Sequence, residues 1–203
     1  MLPLGIPVQR ECSKEYNKDE VRKELGLKLG ERYVLVLTGS MGFGNMTDLV
    51  KELIKGIKNC NFIISCGKNK KLLEELKNKY RGNKHVQELP FTRNLNLYMK
   101  AADVILTKPG GLTTTEITTI GKPFIHTMPI PGCENYNAIF FQSRKMSIKC
   151  DIIEEVVKNT KKLLKDETLQ KEMVENQRKY MNRNASYDIA DLVIKEMGEK
   201  VDV

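Results

Sequence analysis

Short, almost continuously apolar runs alternate with helical periods along most of the chain. The apolar runs are rich in Val and Ile, which is typical of strands that are covered on both faces. Between the runs, apolar residues recur at the spacing of an amphipathic helix. This alternation predicts an α/β fold with a doubly wound, Rossmann-like parallel sheet, because helical crossovers join parallel strands. The predicted strands are 33–38, 61–66, 85–89, 103–107 and 123–127, and the predicted helices between them are 45–59, 69–80, 94–102, 113–121 and 135–145.

Both ends of the chain depart from this alternation. From residue 151 onwards the pattern is helical throughout and predicts extra C-terminal helices. Near the start, Pro3 and Pro7 oppose regular structure. Asn17 followed by Glu20 has the spacing of a capping box, so we expect a helix to begin there. These features divide the chain into an irregular segment at 1–16, an α/β domain at 17–184 and a C-terminal helix at 185–203.

The composition is that of a globular protein with a sizeable core. The chain has 203 residues, of which 40% are hydrophobic and 30% are charged, and these values exclude an intrinsically disordered chain. No apolar run approaches the ~18 residues of a membrane-spanning helix, and no signal peptide is visible. Five cysteines without C-x-x-C spacing, with only two histidines, argue against a zinc site and favour reduced thiols in a cytoplasmic protein.

A net charge of +8 favours an anionic partner. Nucleotides, nucleic acids and acidic membrane surfaces all fit that description, and a solvated basic surface is the simplest alternative. The chain has no basic stripe interleaved with aromatic residues that could stack bases, so we expect no nucleic-acid partner. In an open parallel sheet, ligands bind beyond the carboxyl ends of the strands, and the loops that follow the predicted strands are therefore the candidate site.

The loop after the first strand, TGSMGFG at 38–44, is rich in glycine. Gly39, Gly42 and Gly44 allow a ligand to approach the backbone closely, and the helix that follows offers free N–H groups to a phosphate. The loop is not a Walker A motif, because no Lys-Ser/Thr follows it, and Thr47 replaces the last glycine of G-x-G-x-x-G. A tight strand-to-helix turn without a ligand explains this loop equally well.

The loop after the fourth strand, KPGGLTTTE at 108–116, carries the stronger signal. Gly110 and Gly111 expose backbone N–H groups where a helix begins, and the threonines at 113–115 can cap the turn or donate to phosphate oxygens. Glu116 lies in or near the first helical turn, where the helix dipole favours a carboxylate without any ligand. The alternative is that Glu116 accepts hydrogen bonds from a ribose diol. The glycines, threonines and glutamate together favour nucleotide binding.

Two other loops offer polar groups at the same edge. After the fifth strand, the loop PIPGCENYNA places Glu134 and Asn135 at a helix start, where they either cap the helix or hold sugar hydroxyls. After the third strand, Phe91 and Thr92 either pack a turn or offer an apolar face and a polar edge to a base. His126, at a strand end, is expected to be structural rather than catalytic.

The order of the motifs GIPV, TGSMGFG, LPF, KPGGLTTTE and PIPGCENYNA resembles the C-terminal half of the family 28 glycosyltransferases, which include MurG and the diacylglycerol glycosyltransferases. The resemblance implies a GT-B fold, in which two Rossmann-like domains face a cleft. It also implies that this half binds a UDP-sugar and that transfer is inverting, with no metal and no cofactor. The acceptor, the membrane contact and the catalytic base belong to the N-terminal half.

The resemblance also assigns roles to individual residues of this chain. None of them is catalytic, and all would contact the donor. Phe91 and Thr92 would contact uracil, Glu116 would contact the ribose, and Glu134 and Asn135 would contact the sugar. The residues implied at the diphosphate are Gly39, Ser40, Met41, Gly42, Gly110, Gly111, Leu112 and Thr113.

The resemblance implies transfer of a hexose to a lipid acceptor of the diacylglycerol type by a cytoplasmic protein at the inner membrane face. The motif GIPV marks the segment that links the two halves, so the chain is expected to be an excised donor-binding half, inactive alone, whose last helix packs on the other half. A natural half-enzyme completed by a partner is the alternative. Rival functions are N-acetylglucosamine transfer to a polyprenyl-linked acceptor as in MurG, epimerisation of a UDP-sugar, and a non-catalytic module that binds nucleotide or membrane.

Overall fold

A six-stranded parallel sheet forms the centre of the molecule in the computed structural model, which describes residues 3–38 and 46–198. The strand order is β3-β2-β1-β4-β5-β6, so the predicted doubly wound α/β fold is confirmed. The sequence pattern missed β6 because this strand has only three residues. The strands are β1 (Tyr33–Leu37), β2 (Asn61–Gly67), β3 (Val86–Pro90), β4 (Val104–Thr107), β5 (Phe124–Thr127) and β6 (Ile148–Cys150).

Helices cover both faces of the sheet, and their bounds lie close to the predicted ones. The short first helix differs from the prediction, because the sequence pattern predicted an irregular segment at 1–16. The helices are α1 (Arg10–Ser13), α2 (Lys18–Glu24), α3 (Met46–Gly56), α4 (Lys70–Lys79), α5 (Leu95–Ala101), α6 (Gly111–Ile120), α7 (Cys133–Ser143), α8 (Ile153–Leu163), α9 (Glu167–Tyr180) and α10 (Ala185–Gly198).

The strand residues alternate between two hydrophobic cores. Val34 and Val36 of β1 face the core that α3, α4 and α8 cover, whereas Leu35 and Leu37 face the core of α5, α6 and α7. The crossovers that leave β1 and β2 therefore lie on one face, and those that leave β3, β4 and β5 lie on the other. The chain changes direction across the sheet between β1 and β4, and open parallel sheets bind ligands at the carboxyl ends of the strands beside such a point.

The N-terminal segment packs against the domain along α5 and α6. The Lys100 ammonium, at the end of α5, donates hydrogen bonds to the carbonyl oxygens of Glu11 (2.7 Å) and Lys14 (3.3 Å). Cys12 is buried between α1 and the sheet. These contacts hold α1 against α6 and bring Ile6 beside Gly111, where a β-carbon on that glycine would lie 3.4 Å from the Ile6 side chain.

The last helix packs less tightly than the others. In α10, Ala185 is buried, whereas Tyr187, Val193, Ile194 and Met197 are each at least half exposed. Within residues 3–38 and 46–198, none of the helices combines the length and hydrophobicity that crossing a bilayer requires. All five cysteines are free thiols.

Candidate functional site

The carboxyl ends of β1, β4 and β5 form one continuous edge, since β4 pairs with both of the other strands. The loop 108–110 and the loop 128–132 follow β4 and β5 there. Thr38 follows β1, and its hydroxyl donates a 2.9 Å hydrogen bond to the Ser65 carbonyl. The predicted phosphate-contact residues of the glycine loop, which are Gly39, Ser40, Met41 and Gly42, lie outside the described residues.

Helix α6 begins at this edge without a side-chain cap. Gly110 is the N-cap, and its carbonyl accepts the first helical hydrogen bond, from Thr114. Within the part of the chain that the structure describes, the N–H groups of Gly111, Leu112 and Thr113 have no acceptor. A β-carbon on Gly110 would meet no atom of the described residues within 4 Å. The helix therefore presents unpaired donors and its positive dipole end to an anion.

The predicted role of the three threonines is only partly correct. Thr114 is buried and its hydroxyl lies 3.2 Å from His126, while Thr115 is buried and donates to the Gly111 carbonyl (2.8 Å). Neither caps the helix or faces the edge, because α6 begins at Gly111, before the predicted start at residue 113, and this rotates both side chains towards the core. Thr113 is half-buried and remains a candidate phosphate contact.

His126 is structural, as predicted. Its ring is fully buried, with Nε2 3.2 Å from the Thr114 hydroxyl and Nδ1 3.2 Å from the Ser147 hydroxyl. Phe124 and Phe141 pack edge-on against the ring, with centroids 5.0 Å and 5.5 Å away. Burial lowers the pKa of His126 to about 3, so the ring is neutral at physiological pH and holds the start of α6 on β5.

Glu116 has no partner in the described part of the chain. It lies in the second turn of α6, half-buried, and burial raises the pKa of its carboxyl group. The helix dipole acts mainly within the first turn and Glu116 lies beyond it, so the dipole does not explain the carboxylate. Glu116 is about 6 Å along the helix axis from Leu112, at 1.5 Å per residue. A diphosphate on the free N–H groups would place the adjoining ribose within reach of this carboxylate.

The Phe91–Thr92 turn lies at the same end of the neighbouring helix. It leads into α5, which packs beside α6. The Phe91 ring is 59% exposed, and the Lys68 ammonium lies 5.7 Å from its centre. The Thr92 hydroxyl accepts a hydrogen bond from the Asn94 N–H at 3.1 Å and keeps its own proton to donate. An exposed aromatic face beside a hydroxyl suits a pyrimidine base.

Helix α7 begins after a tight turn that orients the predicted sugar contacts. Its N-cap is Gly132, whose φ of 101° is in the left-handed region that favours glycine. Neither Glu134 nor Asn135 caps this helix. Instead, the Glu134 Oε2 atom accepts a 3.0 Å hydrogen bond from the Ile130 N–H, which closes the loop. Asn135 is half-buried beside it in the first turn.

Two residues that sequence reasoning missed connect the loops. The Lys108 ammonium donates to the Met128 carbonyl at 2.5 Å, and the Asn137 amide donates to the Pro109 carbonyl at 2.9 Å. Both bonds run between the loop after β4 and the segment after β5. Their residues are part of the KPGG and ENYNA motifs, but sequence spacing cannot reveal that the motifs are bonded to each other.

Comparison with known proteins identifies the family of the chain. The profile described as "Glycosyltransferase family 28 C-terminal domain" matches residues 33–193. The "Processive diacylglycerol beta-glucosyltransferase" of Bacillus licheniformis is 32% identical over 196 residues, which are 95% of this chain and 50% of the relative. The chain thus spans about half the length of the curated relatives it matches.

Solved structures share the fold. MurG of Acinetobacter baumannii superposes with a TM-score of 0.71 at 22% identity, and the match covers 93% of this chain and 55% of that one. HepE of Anabaena, solved in complex with UDP-glucose, superposes with a TM-score of 0.69 at 14% identity, over 94% of this chain and 56% of that one. With the profile match over most of the sequence, the chain belongs to the family of glycosyltransferase family 28 C-terminal domains.

Proposed function

We propose that this chain is the donor-binding half of a glycosyltransferase and that its donor is UDP-glucose. The observation that carries the proposal is the row of N–H groups at the start of α6, one turn before the Glu116 carboxylate, since neither the row nor the carboxylate has a hydrogen-bond partner in the described part of the chain. These groups complement a diphosphate and a ribose diol. The choice of glucose is supported by the names of the relatives, which are glucosyltransferases, and by the UDP-glucose complex of HepE.

In this proposal, diacylglycerol or a glucosylated diacylglycerol is the acceptor, as in the names of the relatives. A β-glucoside formed from the α-linked donor requires inversion at the anomeric carbon, so the acceptor hydroxyl attacks from the side opposite UDP. The α6 N-terminus stabilises the negative charge that develops on the departing UDP. Fixed N–H dipoles supply this stabilisation without a metal ion, and no cofactor is required. The glycine loop at 39–44 stays a predicted second contact to the diphosphate.

The proposal is tested by calorimetric titration of the chain with UDP and UDP-glucose, with EDTA present. We expect both to bind and Gly110→Val to weaken both by at least about tenfold, the equivalent of one lost hydrogen bond. A β-carbon at Gly110 meets no atom of the described residues within 4 Å, so we expect little change in the melting temperature. If wild type binds neither nucleotide, the proposed function is wrong.

Three measurements separate the rival functions. A clear preference for UDP-N-acetylglucosamine over UDP-glucose would indicate transfer of the MurG type to a polyprenyl-linked acceptor. Formation of an epimer of the UDP-sugar, detected by NMR, would indicate an epimerase. Binding to lipid vesicles without affinity for UDP would indicate a membrane-binding module.

We further infer that acceptor binding and peripheral membrane contact, at the cytoplasmic face, belong to a second half that packs on α10. Exposed apolar side chains along that helix support this inference. The 203-residue chain alone should transfer no glucose to diacylglycerol in vesicles. In a protein that includes both halves, Ile194→Glu should lower the melting temperature, whereas the chain alone should be unaffected because Ile194 is 68% exposed. Equal effects on both proteins would contradict the inference.

A further inference from the structure

Lys108 reaches from one ligand-facing loop to the next. It follows β4, and its ammonium donates to the carbonyl of Met128, which follows β5. Burial lowers the pKa of Lys108, and the negative charge of Glu134 acts in the opposite direction. The ammonium therefore bonds to a backbone carbonyl of the loop after β5 and is attracted by the carboxylate of Glu134 in the first turn of α7.

The loop 128–132 depends on few hydrogen bonds for its shape. Pro129 and Pro131 have no N–H to donate. Met128 has a φ of 42°, in the left-handed region that side chains disfavour, and its N–H donates to the Cys150 carbonyl at 2.7 Å. The bond from Lys108 to the Met128 carbonyl holds the other side of this residue. Lys108 thus stabilises the unfavourable backbone conformation with which the loop begins.

Glu134 takes its orientation from this loop. Its Oε2 atom accepts from the Ile130 N–H, two residues beyond Met128, while its Oε1 atom has no hydrogen bond within the described residues. One carboxylate oxygen is therefore used to close the loop and the other is free for a ligand. A change in the Met128 turn would move Ile130 and, with it, the direction of the free oxygen.

We propose that Lys108 is a positioning residue that sets the affinity of the site for the hexose of the donor by fixing the loop that orients Glu134. This inference rests on the proposed function. The carbonyl to which Lys108 bonds lies in the loop 128–132, which orients the predicted sugar contact Glu134, whereas the N–H groups without an acceptor among the described residues and Glu116, which would hold UDP, are on α6. Loss of Lys108 should therefore reduce recognition of the hexose more than recognition of the nucleotide.

The test compares UDP with UDP-glucose by calorimetry for wild type, Lys108→Met, Lys108→Arg and Glu134→Gln. We expect Lys108→Met to weaken UDP-glucose binding by about tenfold, typical of a lost hydrogen bond to a charged group, and UDP binding by no more than about twofold. Lys108→Arg should recover most of the loss, since a guanidinium can also donate to the carbonyl. Lys162→Met, which removes an exposed lysine from α8, is the matched control and should bind both ligands like wild type.

A double-mutant cycle distinguishes positioning from general loosening. If Lys108 acts through Glu134, the double variant should bind UDP-glucose no more weakly than the weaker single variant. Equal losses for UDP and UDP-glucose, or additive losses in the double variant, would overturn the inference while leaving the proposed function in place. Failure of wild type to bind UDP would overturn both. If Lys108→Met does not fold, Lys108→Gln, which is shorter and carries no charge, is compared with wild type through the same ratio of affinities.

Discussion

Replacing Glu116 with alanine should weaken UDP binding by about a hundredfold, and replacement with glutamine by about tenfold. A carboxylate that accepts from both hydroxyls of a ribose makes charge-assisted hydrogen bonds of about 1.5–3 kcal/mol, and the truncation leaves those hydroxyls unpaired. Glutamine keeps one acceptor oxygen but loses the charge. Calorimetric titration with UDP measures both effects. Glu154→Gln, on the first turn of α8 and on the other face of the sheet, is the control that should not change affinity.

The stability of the Glu116 variants provides an independent check. Because burial raises the pKa of this carboxyl group in the folded protein, the protonated form is favoured there, and the ionised form costs stability. The stability that this carboxyl group contributes is greatest at pH values below its pKa in the unfolded chain. It declines as the pH rises through the pKa of the group in the folded protein. At pH 7 Glu116→Gln should therefore be at least as stable as wild type in urea unfolding. If Glu116 is a binding residue, its variants should bind UDP more weakly and be at least as stable as wild type. Unchanged UDP affinity in Glu116→Ala would show that Glu116 is not part of the site.

Acidification should unfold the protein through His126. Burial lowers its folded pKa to about 3 from a usual value of 6.5, so below pH 6.5 the unfolded chain binds a proton that the folded chain excludes. This group's contribution is fully present above pH 6.5 and is lost as the pH falls towards 3. The expected slope is about 1.4 kcal/mol per pH unit over that range.

Urea unfolding of wild type and His126→Asn between pH 7 and pH 4 measures this slope. The asparagine cannot be protonated, so the variant should lose stability with falling pH less steeply than wild type, whatever its stability at pH 7. His85→Asn, which removes an exposed histidine, should retain the wild-type slope. Identical slopes for wild type and His126→Asn would show that the ring is not a buried neutral group.

The positions of the main elements followed from local pattern. Strands β1, β2, β4 and β5 are continuously apolar because both of their faces are covered, and this signal is present in any short window of sequence. Asn17 caps α2 as predicted, accepting from the N–H groups of Asp19 and Glu20, since capping depends on neighbours within one turn. Strand β6 was missed because three residues are too few for a periodic signal, and its pairing with β5 decides its conformation.

The amino-acid sequence already determined the order of glycine-rich loops after buried strands. This order predicted the α/β fold and the edge on which we propose that a ligand binds. The tertiary structure decided which side chains reach that edge. In it, Thr114 and Thr115 point towards the core, Glu116 has no hydrogen-bond partner among the described residues, and Lys108 bonds to Met128. The physical reason is that backbone pattern depends on neighbours within a few residues, whereas the direction of a side chain depends on the exact start of its helix and on contacts with residues distant in the chain.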